Sequence, residues 1–328
     1  MDVTDFELLT EDTVSDHVFD LAVNRGPSPQ ADLGFVLRRD GEITVRIRVP
    51  DVAGATAGHE KKKRRGKLGS ARGSNKKTTV AAANETEQYK TLEVNVVQSM
   101  SLLNSNTESS TTGAMLWRVS VVFTEWFYKH LYLPQSGSLL PGRFDVVELG
   151  CGAAGLLPIT LGSSPKVRQY VATDQPHIVK LARQNVETHY TETTGSMPSN
   201  IHVVEYDWEH CNEDIVNILD RIPAAESTEE EDDTGLLILA CDVVYNDFLI
   251  PYILEGMNKV CEEHPSKKIS ILVAQQVRDP TIMEDFLTQF VEHPSFMVWS
   301  VPEYLLNEDF KRGFVLHYAE YQGVKAEP

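Results

Sequence analysis

Residues 144–155 read Phe-Asp-Val-Val-Glu-Leu-Gly-Cys-Gly-Ala-Ala-Gly. A short apolar run closes on Glu148 and passes at once into a turn carrying Gly150, Gly152 and Gly155, with an apolar segment from Leu156 behind it. That order reads as a buried strand, a tight turn and a helix start, the unit that lets backbone approach a nucleotide closely. A plain strand-to-helix turn is the alternative reading of the same residues.

Downstream of this unit the chain alternates strand-like and helix-like segments. Strands are expected at 169–173, 201–206, 235–241, 269–274, 296–301 and 313–321. Helices are expected near 155–162, 176–190, 212–221, 247–262 and 280–292. In the second of these, Ile178, Leu181, Ala182 and Val186 recur at helical spacing, and Pro176 suits the helix start. Residues 235–241 are apolar throughout, as a strand buried on both faces requires. Upstream, 115–132 carries Trp117, Val121, Val122, Trp126, Phe127 and Leu131 on a broad apolar helical face. Such alternation predicts an α/β fold, a doubly wound parallel sheet with ligands at the carboxyl ends of its strands.

Residues 1–100 read as an N-terminal extension, and 101–328 as the main domain. Within the extension, 42–49 and 92–98 alternate apolar and polar residues and are expected to pair as a β-hairpin. Between them, about 50–85, the composition of Gly, Ala, Lys and Arg predicts a disordered loop. An acidic tract at 226–233 reads as a solvated insertion.

The net charge of −18 argues against general binding to nucleic acid or anionic membranes. Residues 61–77 run the other way, with nine Lys or Arg and no acid, so the rest of the chain carries −27. An acidic body suits a basic substrate, with simple solubility as the alternative. The basic tract has three readings: a nuclear-localisation signal, a ribosomal RNA contact, or a solvated loop. The four cysteines, Cys151, Cys211, Cys241 and Cys261, show neither C-x-x-C spacing nor nearby His at metal-ligand spacing, so no metal is expected and reducing conditions are. The first residues lack a secretory pattern and no apolar run reaches membrane-spanning length. A cytoplasmic location, with the nucleus as a second one, and a monomer are the expectations.

Gly150, Gly152 and Gly155 satisfy G-x-G-x-x-G, and Asp174 ends the next strand, where a carboxylate can hold ribose hydroxyls. A dinucleotide would fit that much equally well. Three further features favour S-adenosylmethionine. Glu148 would repel a diphosphate and attract an ammonium or sulfonium. Asp207-Trp208 after the third strand offers a carboxylate to an adenine amine and an indole face for stacking. Asp242-Val-Val-Tyr245 after the fourth strand sets an acid and a phenol where a reacting group would sit. Each residue keeps a structural alternative: a helix cap for Asp174 and Asp242, core packing for Trp208 and Tyr245.

Taken together, Ser110-Thr-Thr-Gly-Ala-Met-Leu-Trp117, Glu148-Leu-Gly-Cys-Gly152, Thr173-Asp174, Asp207-Trp208 and Asp242-Val-Val-Tyr-Asn-Asp-Phe-Leu249 resemble the family 16 seven-strand protein lysine methyltransferases. Within them the chain is most similar to a fungal ribosomal-lysine branch, through the basic insertion, the Gln98-Ser-x-Ser101 stretch and Asp207-Trp-Glu209. The resemblance implies a Rossmann-like seven-strand sheet and methylation of a lysine on a large-subunit ribosomal protein of the L1 class, with S-adenosylmethionine as donor. It implies that Trp117, Glu148, Gly150, Gly152, Asp174, Asp207, Trp208 and the Cys241 region line the cofactor, and that Asp242 and Tyr245 lie nearest the substrate lysine. Glu209 and Gln175 depart from what many members carry. A methyltransferase with another acceptor, a non-catalytic cofactor-binding scaffold and an NAD-type oxidoreductase are the competing readings.

Overall fold

The computed structural model describes residues 3–25, 34–50, 89–103, 112–132, 142–222 and 234–323. The basic tract 61–77 and the acidic tract 226–233 therefore lie outside the described residues.

Ten strands and eight α-helices are described. The strands are β1 (Glu7–Leu8), β2 (Gly41–Pro50), β3 (Tyr89–Gln98), β4 (Phe144–Leu149), β5 (Val167–Asp174), β6 (Ile201–Glu205), β7 (Gly235–Cys241), β8 (Ile269–Gln276), β9 (Phe296–Ser300) and β10 (Phe314–Tyr321). The helices are α1 (Glu11–Asn24), α2 (Met100–Leu103), α3 (Arg118–Tyr132), α4 (Leu156–Leu161), α5 (Pro176–Thr194), α6 (Cys211–Leu219), α7 (Ile250–Glu262) and α8 (Pro280–Glu292).

One eight-stranded sheet runs in the order β1-β9-β10-β8-β7-β4-β5-β6. The pairs β4–β5, β5–β6, β4–β7 and β7–β8 are parallel, while β10 is antiparallel to both β8 and β9. The expected doubly wound sheet is thus present, and the two-residue β1 adds an eighth strand at its edge, antiparallel to β9. From β4 the chain winds outward through β5 and β6, then returns to the other side of β4 as β7. That reversal is the switch point where a crevice opens at the strands' carboxyl ends.

Burial on both faces follows from alternation along each strand. In β7, Leu237, Leu239 and Cys241 pack into one apolar cluster and Leu236, Ile238 and Ala240 into the other. The first cluster is closed by Phe123, Trp126 and Phe127 of α3, by α4 and α5, and by the β2–β3 hairpin. The second is closed by α1, α6, α7 and α8. The strands β4 and β8 are buried along their full length, with the polar residues Asp145, Glu148, Ser270, Gln275 and Gln276 included.

The hairpin expected from 42–49 and 92–98 forms, with Val45 opposite Val94 and Gly41 opposite Gln98. Its inner residues Ile43, Val45, Ile47, Val94 and Val96 are buried. The helix α1 is not among the elements the sequence predicts; Val14, His17, Val18 and Leu21 are its buried residues, and Phe19 and Val23 are exposed beside them. A second difference concerns α3, which starts at Arg118 rather than at 115. Residues 115–117 leave the helix because Leu116 and Trp117 pair with an N-terminal strap: Val36 N–H donates to Leu116 O at 3.0 Å and Arg118 N–H to Gly34 O at 2.8 Å. None of the described helices is long and apolar enough to cross a membrane.

Candidate active site

A cavity opens at the carboxyl ends of β4 to β7. Nine of the ten residues predicted for the site line it: Trp117, Gly150, Gly152, Asp174, Asp207, Trp208, Cys241, Asp242 and Tyr245. They come from five separate stretches of chain, and the shared strand direction brings them together.

The glycine turn supplies the floor. Gly150 has φ of 72°, open to glycine and strained for other residues. A Cβ there would stand 2.7 Å from Val243 Cγ1 and 3.4 Å from Trp208, so the turn and the Trp208 wall approach as closely as glycine allows. Gly152 N–H donates to Asp174 Oδ2 at 2.8 Å, and Gln175 N–H donates to Asp174 Oδ1 at 2.8 Å. Asp174 therefore braces the turn and does not cap α5, whose N-cap is Gln175. Burial lifts its pKa to about 6 against the two backbone donors, with the Asp207 charge adding to the rise.

Glu148 is the one predicted cofactor residue that does not line the cavity. It is 1% exposed, and Tyr170 OH donates to its Oε2 at 2.9 Å. Burial raises its pKa to about 8 against that hydrogen bond, with Asp174 a smaller contribution in the same direction as burial. At neutral pH the group is chiefly the neutral acid.

Asp207 caps the short turn Trp208–His210 by accepting from Glu209 N–H at 3.2 Å, and Gln175 Nε2 reaches its other oxygen at 3.4 Å. Trp208 packs on the second apolar cluster and also walls the cavity. Its Nε1 is buried with no partner among the described residues.

Asp242 is the sole described non-glycine residue with positive φ, 58°, a conformation that costs on the order of 1–3 kcal/mol. It does not cap the next helical turn; Asn246 does, accepting from Phe248 N–H at 3.0 Å. Its Oδ1 accepts from Arg278 Nη2 at 2.5 Å and from Gln276 N–H at 3.3 Å. Its Oδ2 is buried without a hydrogen-bond partner among the described residues. Burial raises the pKa of Asp242, opposed first by the Arg278 charge. Tyr245 and the 59% exposed Phe248 continue the wall toward solvent.

Arg278 was not singled out from the sequence. Its signal was the polar run Gln275-Gln276-Val-Arg278 leaving a parallel strand, where ligand-site residues gather. The Arg278 Cζ lies 4.8 Å from the centroid of the Trp117 ring. Trp117 also packs against Phe35, at 4.4 Å between ring centroids. Gln98 ties this corner together: its Nε2 donates to Leu37 O and Arg39 O, each at 2.7 Å, and its Oε1 accepts from Leu116 N–H at 3.2 Å.

A doubly wound sheet with an acid-braced glycine turn, an acid-indole pair and a buried acid at successive strand ends defines a Rossmann-like methyltransferase. The profile of methyltransferase family 16, described as lysine methyltransferase, matches residues 97–293, more than half of the chain, and the chain belongs to that family. It is 30% identical over 261 residues to ribosomal lysine N-methyltransferase 5 of Eremothecium gossypii, covering 65% of this chain and 76% of that one. The protein of the same name from Zygosaccharomyces rouxii is 29% identical over 245 residues, covering 64% and 74%. That from Vanderwaltozyma polyspora is 26% identical over 343 residues, covering 91% and 95%.

The family's cofactor is S-adenosylmethionine. The residues present fit it. Gly150 and Gly152 leave a cradle that a Cβ at Gly150 would partly fill, and the buried Trp208 Nε1 has no protein partner. Each Asp174 oxygen accepts one backbone N–H and keeps acceptor capacity for a ribose hydroxyl.

Proposed function

We propose that this protein-lysine methyltransferase acts on a large-subunit ribosomal protein of the L1 class, with Asp242 and Tyr245 at the acceptor lysine. The observation that carries the assignment of the acceptor end is the Asp242 carboxyl, buried in the cavity wall with one oxygen engaged and the other unpartnered. The names of the similar proteins support a ribosomal substrate, and the resemblance of the sequence motifs to the ribosomal-lysine branch is what points to the large subunit and the L1 class.

S-adenosylmethionine, when bound, supplies a methyl group activated by a sulfonium. Asp174 would accept from ribose hydroxyls, Trp208 would offer its ring face to the adenine, and Gly150 and Gly152 would let the backbone approach. Asp242 Oδ2 would receive the lysine ammonium, and Tyr245 would orient the nitrogen. The amine must lose its proton before it attacks, and water takes it; a free lysine has a pKa of about 10.4, so desolvation has to lower that value in the site. Alignment of acceptor and donor then contributes most of the rate effect.

The test is methyl transfer by the purified protein to large ribosomal subunits, read by mass spectrometry. Methyl-lysine on an L1-class protein, lost with Asp242→Asn while S-adenosylhomocysteine still binds, is the expected result. Transfer to a different protein would overturn the substrate, and full activity of Asp242→Asn would overturn the acceptor site. Binding of S-adenosylhomocysteine without any transfer would favour a scaffold.

A ribosomal RNA contact through residues 61–77, a cytoplasmic location and a monomeric state belong to the same proposal. Deleting 58–80 should lower activity on assembled subunits and spare it on the free protein.

A further inference from the structure

Arg278 does not line the cavity, yet it touches two residues that do. Its guanidinium donates to Asp242 Oδ1 at 2.5 Å and stacks on the Trp117 ring. A planar cation held between a carboxylate and an indole face has little freedom, so it holds the carboxyl in one orientation. The Gln276 N–H fixes the same oxygen from β8. Oδ1 is thereby committed, while the buried Oδ2 keeps its acceptor capacity unspent.

The charge balance matters as much as the geometry. A bare buried carboxylate would hold a lysine ammonium tightly and keep it protonated, which opposes attack. A carboxylate paired with Arg278 has no net charge, so it orients the ammonium without strongly favouring it over the amine. We propose that Arg278 is a positioning residue for methyl transfer, holding Asp242 by one oxygen and offsetting its charge so that the bound lysine loses its proton near neutral pH. This rests on the reading that Asp242 receives the substrate lysine.

The titratable groups around the Asp242 carboxyl are Arg278 from the segment after β8, the adjoining Cys241 that ends β7, and Glu148 on β4, whose charge acts on Cys241. Tyr245, Asp174 and Asp207 share the cavity wall. Among these, Arg278 is the one cation, and removing it leaves the carboxylate uncompensated.

The experiment measures methyl transfer to large ribosomal subunits across pH 6–10 for wild type, Arg278→Gln, Arg278→Lys and Asp242→Asn, with S-adenosylhomocysteine affinity by calorimetry. Arg278→Gln should lower kcat at pH 7 by tenfold or more, move the acidic limb of the kcat profile up by at least half a pH unit, and recover at pH 9. Its S-adenosylhomocysteine affinity should stay within threefold of wild type. Arg278→Lys should keep the limb in place, because the positive charge remains. Arg278→Met, which keeps an apolar stem against Trp117, replaces the Gln variant if that one misfolds. An unmoved limb in a folded neutral variant would overturn the inference, as would a tenfold loss of S-adenosylhomocysteine affinity, which would make Arg278 a cofactor anchor. If Asp242→Asn retains full activity, or wild type transfers no methyl group, the underlying reading fails instead.

Discussion

The backbone N–H of Gly152 donates to Asp174 Oδ2 at 2.8 Å, joining the turn after β4 to the end of β5. One carboxylate thus holds the glycine turn in its left-handed shape and stands in the cavity wall, where we propose that it meets the ribose. Asp174→Ala should leave the Gly152 and Gln175 N–H groups without that acceptor. The expected loss is about 2–3 kcal/mol of cofactor affinity, roughly 30- to 150-fold. Calorimetry with S-adenosylhomocysteine checks it, and affinity within threefold of wild type would remove Asp174 from the cofactor site.

Gly150→Ala tests the close approach of the turn to its opposite wall. The new methyl would lie 2.7 Å from Val243 Cγ1 at a backbone φ of 72°. Strain and overpacking together should lower stability by roughly 2–4 kcal/mol. Urea unfolding measures this, and S-adenosylhomocysteine should protect the variant less than wild type.

Glu148 makes stability fall with rising pH. Its folded pKa, about 8, lies above the 4.5 of the free side chain. A raised acid stabilises the fold below the unfolded pKa, and that contribution is lost as pH rises through the folded value, on the order of 5 kcal/mol over the whole window. Asp174, raised to about 6, acts in the same sense at lower pH. Glu148→Gln keeps the shape and removes the titration, so its stability should exceed that of wild type at pH 8 and match it more nearly at pH 5. Parallel urea titrations at the two pH values decide; equal slopes with pH would show that Glu148 titrates normally.

Gln98→Ala should loosen the corner that carries Trp117. The side chain is 1% exposed and bonds Leu37, Arg39 and Leu116. Leaving these buried groups unsatisfied should cost about 2–4 kcal/mol. Because Leu116 and Trp117 line the cavity, KM for the methyl donor should rise several-fold while kcat changes less. An unchanged KM would separate the corner from the site.

Most of the sheet was legible because period-2 burial and continuous apolar runs are local properties. The run at 235–241 is buried because it is the central strand β7, flanked by β4 and β8. The two-residue β1 and the helix α1 were not legible. A strand of that length has no period to read, and α1 exposes Phe19 and Val23 beside its buried Val14, Val18 and Leu21, which blurs its face. Trp117 read as part of a helix, because its spacing to Val121 is helical. Its pairing with Phe35, far away in sequence, draws it out. Capping is the rival reading for Asp174 and Asp242, and it is excluded by Gln175 and Asn246 standing at the N-cap positions.

The sequence by itself determined the strand-turn-helix unit at 144–155, the order of strands and helices after it, and the residue types available at each strand end. Those follow from chain-local chemistry: apolar period, glycine at turns, acids at strand ends. Tertiary structure alone decided that Glu148 is buried behind the cavity wall on Tyr170. It alone decided that Asp242 shares one oxygen with Arg278, 36 residues away. A carboxylate's behaviour depends on its burial and on the charges packed against it, and neither is a property of its neighbours in the chain.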